Sequence, residues 1–535
     1  MKIILILILN TILFSDSLKF MHYDLVDQFG VVSKDGGLLW NDDWHSNGLL
    51  FDGTWANFPW TYGPLIKNGY MENSVNIEKE DSNSVHSFFN YQQGDYRLDK
   101  FLLGLKYKDN SRNIYFNGFK RNYSGPYNQY YNTTTQTIQQ SYFFSYDSKK
   151  SGEYGGIKIG HFNTLSNLVD SLDDSSINSR ITSSNIFYNL YYDNIEFSTN
   201  VDQFMQRYQA QNSRSYFENV RYLSRSRFLL GLKSFNSFGD YLHFKIKYNA
   251  RNVKIGYGHF NSWIKTDIEG RKGWLDLNVG TIKIKNKFDY NYKIKLNKKS
   301  NIFEWNLENS RTNKIFHPIY KFYQTELFNS DNDLTYQITS SKASFSWFDK
   351  SMRIHSSFST FSESNNKLIK NLKNNQLKSN FMSLNFNYRV ELFSLYKLEL
   401  DYNLQDPDSY YSGGYGNWIE LNSYSKINLF KNYMDINLIF GFKHIGNRTS
   451  SSYLNIIEMV PINQSSDKKL DDVNYFSSEI SVKVSDFMIK YEWKNISEII
   501  LNGLGLESNN LYEIHPDMPP IGRQSNVSIE WHFRD

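Results

Sequence analysis

From about Val85 to Phe533, apolar or aromatic residues alternate with polar ones at a period of two, and the pattern restarts roughly every 20 to 30 positions. Around Asp193-Asn194 one alternate set reads Ile186, Tyr188, Leu190, Tyr192, Ile195, Phe197, Thr199 and Val201. The interleaved set is mostly polar: Asn189, Tyr191, Glu196, Ser198, Asn200 and Asp202. Successive strand side chains point to opposite faces, so this predicts a hairpin with one greasy face and one wet face. Leu242, Phe244, Ile246 and Tyr248 alternate in the same way with His243, Lys245, Lys247 and Asn249. So do Met382, Leu384, Phe386, Tyr388 and Val390 with Ser383, Asn385, Asn387, Arg389 and Glu391. Phe288, Tyr290, Tyr292, Ile294 and Leu296 against Asp289, Asn291, Lys293, Lys295 and Asn297 repeat the rule. Charged residues along one face of a long strand need water or partners, and a wide polar lumen supplies both.

Counting such segments gives about 22 strands of about 9 to 12 residues. Tight hairpin residues join some of them, as at Asp193-Asn194, Lys431-Asn432 and Ser485-Asp486. Long polar connections near 122–137, 164–182, 206–225, 312–333, 363–379, 405–415, 445–472 and 495–524 alternate with these turns. The predicted fold is all-β: a transmembrane antiparallel barrel of about 22 strands (range 16–22) over residues 84–535, long loops at one end and short turns at the other. Between 250 and 300 the pattern is less regular. The apolar phase slips between Val279 and Ile282, which predicts a bulge or a miscounted strand. There, 261–272 reads as a long inner loop, with Arg251-Asn252 and Asn286-Lys287 as short outer ones.

Composition narrows the setting. Lys2 and the run Ile3 to Leu9, fading by Phe14 into Ser15-Asp16-Ser17, have the build of a secretory signal peptide over residues 1–17. No later run of 18 apolar residues offers a transmembrane helix. The absence of cysteine excludes a lipoprotein anchor, disulfides and thiolate metal sites. Aromatics make up 17% of the chain, yet mean hydropathy is −0.57. A barrel with a greasy outside and a polar inside reconciles the two. A net charge of +4 with scattered Lys and Arg gives no support to nucleic-acid binding.

Residues bearing recognisable chemistry are few. Segment 18–83 holds four of the eleven tryptophans, Trp40, Trp44, Trp55 and Trp60, among Asp and Gly. Such a segment either packs by its aromatics, in the periplasm or inside the lumen as a short plug, or stacks on a ligand such as a sugar. Asp42, Asp43 and His45 have metal-ligating atoms but no second cluster, so no metal or other cofactor is expected. Gly413-Gly414-Tyr415-Gly416 lacks the Lys-Ser/Thr of a phosphate loop, and neither G-x-S-x-G nor H-E-x-x-H occurs, so no enzyme is expected. Arg207, Arg214, Arg221, Arg225 and Arg227 cluster in and beside the 206–227 connection, interleaved with Tyr208, Tyr216 and Tyr222. At an outer rim they would be a solvated loop or a grip for anionic lipopolysaccharide or an acidic glycan.

The C-terminus carries the most specific signal. Asn502-Gly503, then Leu511-Tyr512-Glu513-Ile514-His515-Pro516-Asp517-Met518-Pro519-Pro520-Ile521-Gly522-Arg523, then the strand Val527 to Phe533, resembles the end of TonB-dependent receptor barrels. In that strand Val527, Ile529, Trp531 and Phe533 form a lipid face suited to closing the barrel and to reading by the assembly machinery. The resemblance implies an outer-membrane receptor. Only residues 18–83 lie between the signal and the first strand, no coupling box stands out, and Arg534-Asp535 extend past the terminal aromatic. These departures point to a relative lacking a full plug domain. Passage or uptake of small solutes, porin-like or receptor-like, is therefore the first expectation. A surface-binding or polysaccharide-anchoring barrel is the second, and a soluble propeller would need a 40–50-residue repeat that is not seen. The expected partners are outer-membrane lipid and lipopolysaccharide, the barrel-assembly machinery and a small solute or glycan.

Overall fold

The computed structural model describes residues 84–534, except the connections 125–137, 168–175, 212–218, 235–241, 316–334, 365–377, 406–416, 450–468 and 506–521 and a few single positions. Ahead of residue 84 it describes only short strands between 18 and 71: Leu18–His22, Gly30–Lys34 and Gly37–Leu38 pair in one sheet, Ile66–Lys67 and Tyr70–Met71 in another. Residues 1–17, expected to be a signal peptide, and Trp40, Trp44, Trp55 and Trp60 lie outside the described residues.

Twenty-two strands form one closed antiparallel barrel in which every strand pairs with its neighbours in sequence. They begin with β1 Ser84–Gly94, β2 Leu98–Lys108, β3 Arg112–Asn122, β4 Ile138–Lys150, β5 Glu153–Asn167, β6 Ser176–Tyr192 and β7 Ile195–Gln211. The next are β8 Asn219–Ser234, β9 Leu242–Ile255, β10 Tyr257–Lys272, β11 Leu275–Ile284, β12 Lys287–Lys299, β13 Phe303–Ile315 and β14 Thr335–Phe348. The circuit ends with β15 Met352–Ser364, β16 Lys378–Leu392, β17 Tyr396–Gln405, β18 Asn417–Leu429, β19 Met434–Gly446, β20 Val473–Val484, β21 Phe487–Lys494 and β22 Gln524–Arg534. One short helix among the described residues, α1 Ser497–Gly503, follows β21.

Closure is made by β22 against β1, from Asn526 opposite Gly94 to Arg534 opposite His86. Outward on β22 stand Val527, Ile529, Trp531 and Phe533; Trp531 stacks on Phe533 with centroids 4.8 Å apart, and Phe89 of β1 lies 6.3 Å from each ring. Around the barrel the exposed large apolar side chains repeat this arrangement, as with Phe244, Leu384, Phe288 and Phe440. A closed ladder satisfies every strand N–H and C=O within the wall, so an apolar outer belt can face lipid without an open edge.

Most long connections gather at one end and most tight turns at the other, the short turns at 95–97 and 285–286 being at the loop-rich end. Turns at Asp193-Asn194 and Ser485-Asp486 join strands directly, with Asp193 and Ser485 in the left-handed backbone region such hairpins require. The turn at Lys431 is longer than two residues, because pairing resumes only between Leu429 and Met434.

The sequence pattern misleads in two places. The stretch 261–272 is the greater part of β10, paired from Asn261 opposite Arg251 to Lys272 opposite Leu275, and not an inner loop. Its inward residues Lys265, Asp267 and Glu269 are charged, which gives a wall strand the look of a loop. Arg251-Asn252 accordingly lies within β9, and the turn at 285–286 is the short one expected nearby. No bulge separates Val279 from Ile282: the β11–β12 ladder runs unbroken, and Ile282 and Ile284 turn inward to pack with Trp263. Several strands also exceed 12 residues, β6 and β7 reaching 17. About 9 to 11 tilted residues cross a membrane, so the surplus of β6 and β7 projects beyond it and takes up much of what the sequence suggests is loop at 164–182 and 206–225.

Candidate functional site on the lumenal wall

Because the outer face is committed to lipid, chemistry toward a solute falls to the inward residues. These are charged and mutually compensated. Across β12 and β13, Lys293 meets Glu308 at 2.9 Å. Across β16 and β17, Glu399 takes Arg389 at 3.0 Å and Lys397 at 2.7 Å. Lys426 of β18 reaches Asp435 of β19 at 3.0 Å. Lys490 of β21 bridges Glu479 at 2.9 Å and Glu492 at 2.7 Å. Cross-strand neighbours of opposite sign neutralise one another, so the wall is wet and polar without a field of one sign.

At the loop-rich end the inner face changes character. The nine buried apolar side chains among the described residues all take the inward register. Seven of them (Leu98, Ile282, Ile284, Ile338, Trp418, Ile445 and Val473) sit near that end of their strands, and the Arg251 guanidinium lies 5.3 Å from the Trp263 ring beside Ile282. An apolar collar at the mouth thus stands above a charged wall.

Of the arginines singled out in the sequence, Arg227 and Arg207 face opposite sides of the wall. Arg227 lies on the inner wall, where its guanidinium grips Asp202 through Nε at 2.9 Å and Nη2 at 2.7 Å while Asn185 donates to the same carboxylate at 2.5 Å. Arg207 is half-buried on the outward register of β7, opposite Tyr222. The backbones of Arg221 and Arg225 pair in β8 with Tyr208 and Phe204, and Arg214 lies outside the described residues.

A second cluster, which the sequence reading missed, lines the seam where the chain closes on itself. Glu492 accepts from Asn526 at 2.9 Å and from Gln92 at 3.2 Å. Glu530 accepts from Asn90 at 3.1 Å and from His532 Nε2 at 2.5 Å, and His532 Nδ1 shares a hydrogen bond with His86 Nε2 at 2.9 Å. Asn90, Gln92, Glu492, Asn526 and Glu530 border a cavity of about 250 Å³ on the inner face of β21, β22 and β1 to β3. The signal for it was present: Gln524, Asn526, Ser528, Glu530 and His532 are the polar partners of the aromatic closing face. Only the closure of β22 on β1 shows that Asn90 and Gln92, 440 and 400 positions from the carboxylates they donate to, complete it.

The sequence matches no family model and no curated protein. Solved structures do share the fold. The FrpB iron transporter from Neisseria meningitidis (F5-1 variant, apoprotein form) superposes with a TM-score of 0.64 at 8% identity, covering 85% of this chain and 82% of its own. The ferric yersiniabactin uptake receptor FyuA from Yersinia pestis gives 0.63 at 9%, covering 97% and 94%, and the siderophore receptor PirA from Acinetobacter baumannii 0.62 at 7%, covering 96% and 94%. The protein therefore has the 22-stranded barrel of outer-membrane uptake receptors, and the resemblance of its C-terminus to TonB-dependent receptors extends to the whole barrel fold.

Proposed function

We propose that the protein is an outer-membrane barrel for the passage or uptake of small polar solutes. The observation that carries this reading is the pairing of a closed 22-strand wall, apolar outside, with an inner face of compensated ion pairs. A wall of that kind keeps water and solutes within the lumen while lipid holds the exterior. The fold is shared with proteins described as an iron transporter, a copper transporter and siderophore receptors, which supports transport over catalysis. On this reading the exterior meets outer-membrane lipid and lipopolysaccharide, and the closing strand is the element presented to the barrel-assembly machinery.

Liposome swelling tests the proposal. Vesicles carrying the purified, folded protein should admit a small sugar faster than empty vesicles and exclude a large dextran. Equal swelling with and without the protein would remove the passage function.

A further inference from the structure

The outer face of the barrel carries a pair of charges that no described residue answers. Arg180 of β6 and Arg207 of β7 stand directly opposite each other in the ladder, both in the outward register of Ile186, Tyr188, Phe197 and Val201. Arg180 is exposed and Arg207 half-buried. Among the described residues neither guanidinium has an ion-pair partner, whereas Arg227 on the inner side of β8 is gripped by Asp202. Like charges directly opposite in an antiparallel pair are destabilising, so this rung calls for an anion from outside the chain.

The height of the rung says where that anion resides. Both arginines lie twelve residues from the β6–β7 turn, counted from Tyr192 and Ile195. At about 3.3 Å per residue and a strand tilt of about 40°, they stand roughly 30 Å above the turn. The apolar band of an outer-membrane barrel is about 25 Å tall, so the rung sits just above it, over Met205, which is 46% exposed in the same register. The surroundings agree in sign. From β6 to β13 the outward register contains no Asp or Glu, and its charged residues at the loop-rich end are Arg180, Arg207, Lys254, Lys283 and Arg311. Two of these are capped by rings: Lys283 Nζ lies 5.0 Å from the Phe288 centroid, and the Arg311 guanidinium 3.8 Å from that of Tyr290. From β17 to β21 the outward residues at that end are Leu404, Asn417, His444, Asn474 and Trp493, so the basic arc belongs to one side of the barrel.

We infer that the Arg180–Arg207 rung is a binding site for the phosphate of an outer-leaflet glycolipid, the group that lipopolysaccharide carries at its membrane end. Two guanidiniums whose backbones are about 5 Å apart can clamp one phosphate between them, each through paired N–H donors. The acyl chains of the same molecule then lie along Met205, Val201 and Ile186 below. A soluble phosphate gains only the first of these contacts. The site rests on the reading of the exterior as an outer-membrane surface, and it is independent of what passes through the lumen.

Titration of the full-length protein in detergent with diphosphorylated lipid A, bound lipid being counted by native mass spectrometry, tests the site. The same lipid stripped of phosphate has the chains without the charge, and inorganic phosphate the charge without the chains. The phosphorylated lipid should bind at least about tenfold more tightly than the stripped one, since one hydrogen bond to a charged group is worth roughly that factor. Inorganic phosphate at equal concentration should not displace it. The double variant Arg180→Gln with Arg207→Gln should weaken the phosphorylated lipid about tenfold or more. Heat-modifiable gel migration checks that it folds, and Arg180→Gln alone, at an exposed position, serves as a second variant with part of the loss. Unchanged affinity in the folded variants, equal affinity for the stripped lipid, or displacement by inorganic phosphate would overturn the site. Vesicle swelling without preference for the phosphorylated lipid overturns the site and leaves the passage function standing; preference without swelling does the reverse.

Discussion

At the scale of single residues the two faces of the wall make opposite demands. Phe244 and Leu384 are 37% and 39% exposed on the lipid side, whereas Lys245, next to Phe244, is ion-paired to Glu269 at 3.8 Å. Phe244→Arg or Leu384→Arg should cost about 2–4 kcal/mol near the bilayer midplane, and Lys245→Ala or Asn385→Ala much less. Urea titration of refolding into vesicles would show the contrast, and equal damage from both sets would reverse the assigned faces. The inner wall has one site where a polar change should also be severe. Asp202 holds both Arg227 and Asn185, so Asp202→Ala removes the carboxylate that a largely buried guanidinium grips and should cost about 3 kcal/mol. A loss below about 1 kcal/mol in the same titration would mean that lumen water replaces the carboxylate. At the β2–β3 turn, Asp109 accepts from the Ser111 and Arg112 backbone N–H groups at 2.7 Å each. The Ser111 N–H, first among these partners, holds its carboxyl below the usual range. A depressed carboxyl stabilises above its unfolded pKa and loses that contribution as pH falls through the folded value. Asp109→Asn should therefore flatten the acid side of the stability profile, which pH-dependent unfolding would register.

At the scale of strands, alternation was enough to place most of the barrel. It worked because each outward side chain must be apolar and each inward one need not be, so a single period marks both faces. It failed in β10 and β11 for the same reason. Charged inward residues such as Asp267 and Glu269 resemble a loop when their apolar partners Ile264 and Ile268 are widely spaced, and inward Ile282 and Ile284 mimic a change of phase. Strand ends were illegible as well, since β6 and β7 continue past the lipid belt, where neither face needs to be apolar. The seam cluster could not be read because its halves are the two ends of the barrel sequence. Closure itself was legible in Val527, Ile529, Trp531 and Phe533. Changing Trp531 and Phe533 together to Ala removes the ring contacts across the seam to Phe89, and Trp531 also packs edge-on to Phe487 at 5.8 Å. The double variant should assemble more slowly and lose heat-modifiable migration at lower temperature; wild-type behaviour would place closure in the backbone ladder alone.

At the scale of the molecule, the width of the barrel poses its own problem. Barrels of 16 to 18 strands already leave an aqueous channel, and 22-stranded transporters carry a plug, so an unobstructed lumen here would leak. The charged wall supplies no barrier, because its ion pairs are matched in sign and wetted. The apolar collar at the loop-rich end, including Trp418, Ile445 and Val473, is a seat against which covering chain could pack, and the long connections lie nearest to it. The other stretch of chain available is residues 18–83, whose Trp40, Trp44, Trp55 and Trp60 have the large amphipathic surfaces suited to a polar lumen. We propose that this segment fills part of the lumen. Deleting residues 18–83 with residues 1–17 retained should raise single-channel conductance and sensitivity to large antibiotics. Assembly should persist, because β22 and its partner β1 remain intact. Unchanged conductance in the assembled deletion variant would assign restriction of the pore to the long loops above the collar.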